Sequence, residues 1–129
     1  MKIAYNIARY LLGFIFLVFG LNGFFHFLPM APPPGVAGQF LGALFISHYL
    51  VVIFFFQLLA AILLLLNRYT PLALAILAPI IVNILCFHAF MAPSGLPLAF
   101  LVAILWFLTF ASVRSAFAGI FEQHVRQAV

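Results

Sequence analysis

The chain has 129 residues, of which 69% are hydrophobic and only 5% are charged, and its formal net charge is +4. So few polar side chains cannot cover a small water-soluble domain, so the composition excludes that class and indicates a membrane protein. The basic residues stand singly between apolar blocks, which argues against a nucleic-acid-binding patch. The single cysteine, Cys86, excludes an internal disulfide.

Four apolar runs are long enough to cross a bilayer as helices, since about 20 residues rising about 1.5 Å each span the hydrocarbon. They cover residues 10–28, 40–66, 71–91 and 97–117. The second run is long enough to need tilt, and Thr70 with Pro71 is a typical start for the third. No run alternates polar and apolar residues as a barrel strand would. We therefore expect one all-α domain, an integral membrane four-helix bundle.

A cleaved signal peptide is the alternative for residues 1–30, which carry Lys2 and Arg9 before an apolar segment. That segment has 19 residues, whereas a signal peptide has an apolar core of roughly 7–15. We therefore expect residues 10–28 to form a span.

The basic residues predict an orientation. They lie before the first run, in the turn between the second and third, or after the fourth: Lys2, Arg9, Arg68, Arg114 and Arg126. The other two loops carry no charge. Because cytoplasmic loops carry an excess of Lys and Arg, both termini are expected in the cytoplasm.

Two segments share the order Asn, His, Met-Ala-Pro, Gly, namely "GLNGFFHFLPMAPPPG" and "IVNILCFHAFMAPSG". The two Met-Ala-Pro copies are 61 residues apart, and this interval contains two spans. The copies would then cross the membrane in the same direction, as a parallel two-plus-two repeat. Chance, or a shared need for helix-ending residues, is the alternative.

Five of the scarce polar residues fall toward the non-cytoplasmic end of the spans: Asn22, His26, His48, Asn83 and His88. Asn22 and His26 are four apart and share a helix face. Asn83 and His88 are five apart and share one only if the helix is distorted, for which Pro79 supplies a cause. Polar groups are costly in hydrocarbon unless paired, so these residues are candidates for a ligand or cofactor pocket. Helix packing through hydrogen bonds is the alternative.

No Asp or Glu lies within the four runs, since Glu122 follows the last one. This excludes carboxylate acid–base pairs and carboxylate metal clusters within one chain. Amide and imidazole groups between phenylalanines suit the oxygen atoms of a quinone-like head group. Imidazoles also ligate haem iron and other metals, but the HxH, HxxxH and CxxC spacings are absent.

Small and kink-forming residues predict where helices pack. Gly13 and Gly20 are seven apart and share a face of the first span, roughly opposite Asn22. We expect one of these two faces to pack within the bundle and the other against another span or a second subunit. Gln57 and Pro79 are assigned to helix packing.

Three stretches carry a family resemblance: "ARYLLGFIFLVFGLNGFFHFLP", "QFLGALFISHYLVVIFFFQLLAAILLLLNRYTPLAL" and "LAPIIVNILCFHAFM". Over nearly the whole chain they resemble the DoxX-like family of small four-span bacterial membrane proteins. The recurring features are an Arg before Leu-Leu-Gly, matched by Arg9 to Gly13, and a Leu-rich end of the second span. Many members carry a glutamate where this chain has Gln57, followed by glycines where it has Ala60 and Ala61. That departure puts any proton-linked role of the glutamate in question here.

The resemblance implies a place in the bacterial cytoplasmic (inner) membrane. Some relatives are membrane subunits of oxidoreductases that pass electrons from sulfur compounds to quinone, some sit with antioxidant enzymes, and distant ones assist membrane-protein assembly. We therefore expect a membrane subunit or accessory of an oxidoreductase, with no catalytic residue assigned. The alternatives are a non-catalytic scaffold or assembly partner, and a transporter of a neutral solute. The expected partners are the lipid bilayer and another membrane protein or a second copy.

Overall fold

The computed structural model describes residues 1–128, which form α-helices and no β-strand. The helices are α1 (Lys2–Phe25), α2 (Gly35–Ile46), α3 (Tyr49–Leu65), α4 (Thr70–Phe90) and α5 (Leu96–Val113). Short 3-10 segments, Pro93–Gly95 and Arg114–Phe121, flank α5. The predicted all-α class is confirmed.

Three helical segments are long and apolar enough to cross a membrane: α1, α4, and α5 together with its two flanking 3-10 segments. The pair α2 and α3 passes the same test as a unit, although the two helices are bent by 86°. Residues 1–128 therefore hold three helices of this kind, or four if the bent pair is one span. This is compatible with a multi-pass membrane protein.

The second apolar run differs from its prediction as a single helix over residues 40–66, because the chain breaks between α2 and α3. His48 adopts the left-handed conformation (φ 63°), which a right-handed helix cannot contain. Ser47 Oγ donates to Leu44 O (3.2 Å) and accepts from Tyr49 N–H (3.4 Å), so a side chain takes over backbone bonding at the break. Both sides of the break are apolar, and Ser47 and His48 are too short a polar interruption for hydropathy alone to indicate it.

The start of α4 also differs in detail from its prediction. Tyr69, in the left-handed conformation, is the residue that precedes the helix, and Thr70 is its first residue. Thr70 Oγ1 donates to Asn67 Oδ1 at 3.3 Å instead of capping a backbone N–H. Pro71 lies in the first turn, as predicted. Pro79 lies inside α4, and the helix continues through it.

The helices pack in a closed ring in which α1 and α4 each contact both α3 and α5. A core of fully buried leucines lies between them: Leu12, Leu64, Leu74 and Leu77. A Cβ on Gly13 would lie 3.0 Å from Leu65 Cγ, and one on Gly20 would lie 2.9 Å from Leu58 Cδ2. The small-residue face of α1 therefore packs within the chain, against α3.

Arg9 contributes to packing, because its side chain is only 6% exposed. Its Nη1 donates to the carbonyl of Leu64 in the last turn of α3, and its guanidinium lies 4.2 Å from the centre of the Tyr10 ring. The last carbonyls of a helix lack intrahelical partners and carry partial negative charge. Arg9 thus stabilises the end of α3. We call this side of the molecule, where Arg68 also follows α3 and Arg114 follows α5, the arginine end.

Candidate functional site

A cavity of about 220 Å³ lies between α1, α3, α4 and α5, toward the side opposite the arginine end. Its wall is mostly aliphatic and aromatic, with Phe16, Phe19 and Phe54 among the lining residues. Three polar side chains interrupt this wall: Asn22 from α1, Gln57 from α3 and His88 from α4. Three helices therefore each bring one polar group to an apolar cavity.

Gln57 lies near the middle of α3, and its side chain is only 7% exposed. Its Oε1 is buried and has no hydrogen-bond partner among residues 1–128. A buried amide oxygen without a partner costs about 1–3 kcal/mol. Native proteins satisfy most such atoms, so an orphaned one beside a cavity points to a ligand as the missing partner.

Asn22 lies in the last turn of α1 and is 7% exposed. The chain leaves the helix at His26, which takes the left-handed conformation, and Leu28 N–H then donates to Asn22 Oδ1 at 2.7 Å. Only the oxygen of an amide can accept this bond, so its orientation is fixed. The NH₂ group of Asn22 is the part that this bond leaves for other partners.

His88 lies in the last turn of α4, and its Nδ1 is 3.1 Å from Ala92 O. A carbonyl oxygen can only accept, so Nδ1 carries the proton and donates it. In the neutral ring, Nε2 is then an acceptor. A Cβ on Gly95 would overlap His88 Cε1 and Nδ1, so a glycine is needed where the loop meets this edge of the ring.

The other three predicted pocket residues are exposed and do not line the cavity. His26 ends α1, and its ring centre lies 6.2 Å from that of Phe45. His48 occupies the break before α3. Asn83 Nδ2 donates to Pro79 O at 2.8 Å, within its own helix. Of the five predicted residues, the cavity contains Asn22 and His88.

Gln57 is the cavity residue that the sequence analysis assigned to helix packing instead. If residues 40–66 form one straight helix, His48 and Gln57 point in different directions, which separates Gln57 from the candidate pocket. The break before Tyr49 removes this constraint, because the direction of His48 no longer bears on that of Gln57. The available signal was a single amide in the middle of an otherwise apolar run.

Within residues 1–128, the cavity lining offers hydrogen bonds but no Asp, Glu, Lys or Arg side chain. Within residues 1–128, no three His, Cys, Asp or Glu side chains come close enough together to hold a metal ion. The arrangement suits a neutral molecule that combines an apolar body with a few hydrogen-bonding atoms.

Comparison with known proteins leaves the family open. No protein-family model matches this chain, and neither the curated proteins nor the solved structures give a significant match. The DoxX-like resemblance therefore stays a prediction from the sequence.

Proposed function

We propose that this chain is a DoxX-like membrane protein whose cavity binds the head group of a quinone-like molecule, and that it serves as the membrane subunit or accessory of an oxidoreductase. One observation carries the binding proposal. Gln57, whose buried amide oxygen has no hydrogen-bond partner among residues 1–128, lines an apolar cavity that also contains Asn22 and His88. A bound head group toward which this amide turns would supply the missing hydrogen bond.

The cavity's size and chemistry support this ligand class. Drug-sized ligands occupy roughly 300–1,000 Å³, whereas this cavity measures about 220 Å³, enough for a small ring with its tail outside. Three phenylalanines among the lining residues can pack against a flat ring in stacked or edge-on geometry. Among the described residues, the wall contains no Asp, Glu, Lys or Arg side chain that could pair with a charged ligand.

The membrane arrangement is part of the proposal. The chain would cross the bacterial cytoplasmic membrane four times, with α3 crossing as the second span, α2 bent away from it at its outer end, and both termini in the cytoplasm. The end of α1 with His26 and the end of α4 with His88 would then be equivalent positions in a parallel two-plus-two repeat. Arg9, Arg68 and Arg114 support this orientation, because they lie at the end of the molecule opposite the cavity. The cavity would open in the outer leaflet, where a lipid-soluble ligand is concentrated.

The test is extraction of the protein in a mild detergent, followed by mass analysis of the organic extract. We expect a quinone in near-stoichiometric amount with the wild-type chain and a marked loss with Gln57→Leu. Cys86→Ala, an exposed change on α4, serves as the matched control and should retain the ligand. A wild-type extract without any quinone, together with no binding of added quinone, would contradict the proposal.

A second function, as a scaffold for another membrane protein, is favoured by α2. This helix has 12 residues, and Ala37 is its only buried one. Large apolar side chains such as Val36 and Ile46 are exposed along it. Such a surface can pack against another membrane protein. Recovery of one stoichiometric partner with wild-type α2, but not after Val36 and Ile46 are both changed to Ser, would support this function. Recovery of a solitary protein in both cases would contradict it.

A further inference from the structure

The polar side chains of the cavity leave different hydrogen-bonding groups for a ligand. Asn22 leaves a donor, because its Oδ1 already accepts Leu28 N–H at 2.7 Å. If the amide turned over, its NH₂ group would face that N–H and the bond would be lost. Asn22 is therefore fixed as a donor at the cavity wall.

His88 leaves an acceptor. Its Nδ1–H is held by Ala92 O at 3.1 Å, so the neutral ring presents the lone pair of Nε2. The close approach of Gly95 to the Cε1–Nδ1 edge holds the ring in this position. With its one proton on Nδ1, the neutral ring of His88 offers no proton from Nε2.

Gln57 has an amide that no observed bond fixes, because its buried Oε1 has no donor among the described residues. Its amide is not held by such a bond and could turn its NH₂ group toward a ligand. The cavity therefore has one fixed donor, one fixed acceptor and one adaptable amide. A ligand atom that both donates and accepts satisfies all three, whereas an atom that only accepts leaves the His88 lone pair without a partner.

We propose that the cavity selects the reduced, hydroxyl-bearing form of its ring ligand over the oxidised, carbonyl-bearing form. This inference rests on the proposed function. A quinol hydroxyl donates to His88 Nε2 and accepts from Asn22 Nδ2. A quinone carbonyl accepts from Asn22 but faces the His88 Nε2 lone pair with no proton between the two atoms. The reduced form thus satisfies a group that the oxidised form leaves unpaired.

The experiment compares the two redox forms of one ring on the full chain. Anaerobic calorimetric titrations in lipid discs would use a short-chain benzoquinol and the matching benzoquinone. We expect the quinol to bind at least about tenfold more tightly, the difference made by about one well-placed hydrogen bond. His88→Gln replaces the fixed acceptor by an amide that can turn, so the ratio of affinities should fall toward one. Cys86→Ala, exposed on the same helix, should keep the wild-type ratio.

Each outcome bears on a different statement. Equal affinities, or tighter binding of the quinone, would overturn the selection and leave the proposed quinone-like function standing. Binding of neither form would remove both. A ratio that does not change in folded His88→Gln would overturn the role of His88 as the discriminating acceptor. The wild-type ratio needs no substitution, so the selection remains testable even if this variant does not fold.

Discussion

In the ligand-free protein, the buried Oε1 of Gln57 has no hydrogen-bond partner among residues 1–128, and this lowers the stability of the fold. Gln57→Leu removes the buried Oε1 and keeps a side chain of similar size among apolar neighbours. Replacing an unsatisfied polar group by an apolar one of the same shape is nearly neutral or stabilising. We expect the ligand-free variant to unfold at the same temperature as wild type or higher, a gain of up to about 1 kcal/mol. Thermal unfolding measured by circular dichroism checks this.

Gln57→Glu provides the contrast, since it places a carboxyl group of the same shape in the same apolar surroundings. An isolated carboxylate there would be costly, so the variant should be less stable than wild type. A Gln57→Leu protein that is markedly destabilised would show that the amide makes a bond essential to the fold. That outcome would remove the argument for a ligand as its missing partner.

Gly95 tests the position of His88 without altering the imidazole. The backbone of Gly95 (φ −89°, ψ −1°) is accessible to alanine, so any effect of Gly95→Ala comes from the new methyl group. That group would overlap His88 Cε1 and Nδ1, so the ring must move and the bond to Ala92 O weakens. We expect a loss of quinol affinity of about tenfold, the worth of about one hydrogen bond, measured by calorimetry.

Gly42→Ala is the matched control for this substitution. Gly42 lies in α2, and a Cβ there would meet nothing within 4 Å. Its affinity for the quinol should equal that of wild type. Equal affinities for Gly95→Ala and wild type would mean that the position of His88 does not affect binding.

At the scale of helices, the end of α3 is held by a charged group from α1. Arg9→Met keeps most of the side chain's apolar bulk but removes the donor to Leu64 O. A hydrogen bond from a charged group contributes about 1.5–3 kcal/mol, so we expect a loss of that order in the free energy of unfolding. Denaturation in a mixed detergent is the measurement. Arg68→Met, an exposed change at the same end, should have little effect. Equal losses for both variants would contradict the capping role of Arg9.

Helices α4 and α5 are joined by a different bond, from Trp106 Nε1 to Leu74 O at 2.9 Å. Trp106→Phe removes this donor while keeping an aromatic ring beside Phe110, whose ring stacks on Trp106 at 5.3 Å. Hydrogen bonds between membrane helices contribute roughly 0.6–2 kcal/mol, and the variant should lose stability within this range. Phe107→Leu, an exposed change on the next residue, is the control. No difference between Trp106→Phe and wild type would show that this hydrogen bond does not contribute to joining the two helices.

The helices themselves could be predicted from the sequence because apolar length and the proline and glycine breaks are strong local signals. The break at Ser47 and His48 could not, because it depends on a left-handed residue and on local hydroxyl bonds rather than on polarity. Because the break was not predicted, Gln57 was assigned to helix packing and not to the pocket with Asn22 and His88. Those two were recognised because scarce polar groups at the ends of apolar runs need partners. The helix faces that contact each other are determined by packing between distant segments, so local sequence patterns do not predict them.

At the scale of the whole molecule, the two ends differ in their polar side chains. Basic side chains lie at the arginine end, whereas the cavity with its two amides and one imidazole lies toward the other end. In a bacterial membrane this asymmetry predicts one orientation, with the arginine end in the cytoplasm. The bend of 86° between α2 and α3 then places α2 roughly parallel to the outer surface, if α3 runs across the bilayer.

Cysteine labelling in intact cells tests this arrangement. In a Cys86→Ala background, a membrane-impermeant maleimide should label Ser47→Cys, at the exposed break, from outside the cell. Arg68→Cys, in the turn after α3, should react only after the cells are opened, because the proposed orientation puts this turn in the cytoplasm. Tail position Gln123→Cys should behave like Arg68→Cys if both termini share that side.

Labelling of Arg68→Cys from outside would reverse the orientation and move the cavity to the inner leaflet. Labelling of Ser47→Cys and Arg68→Cys from the same side would show that α3 does not cross the membrane, and the four-span arrangement would fail.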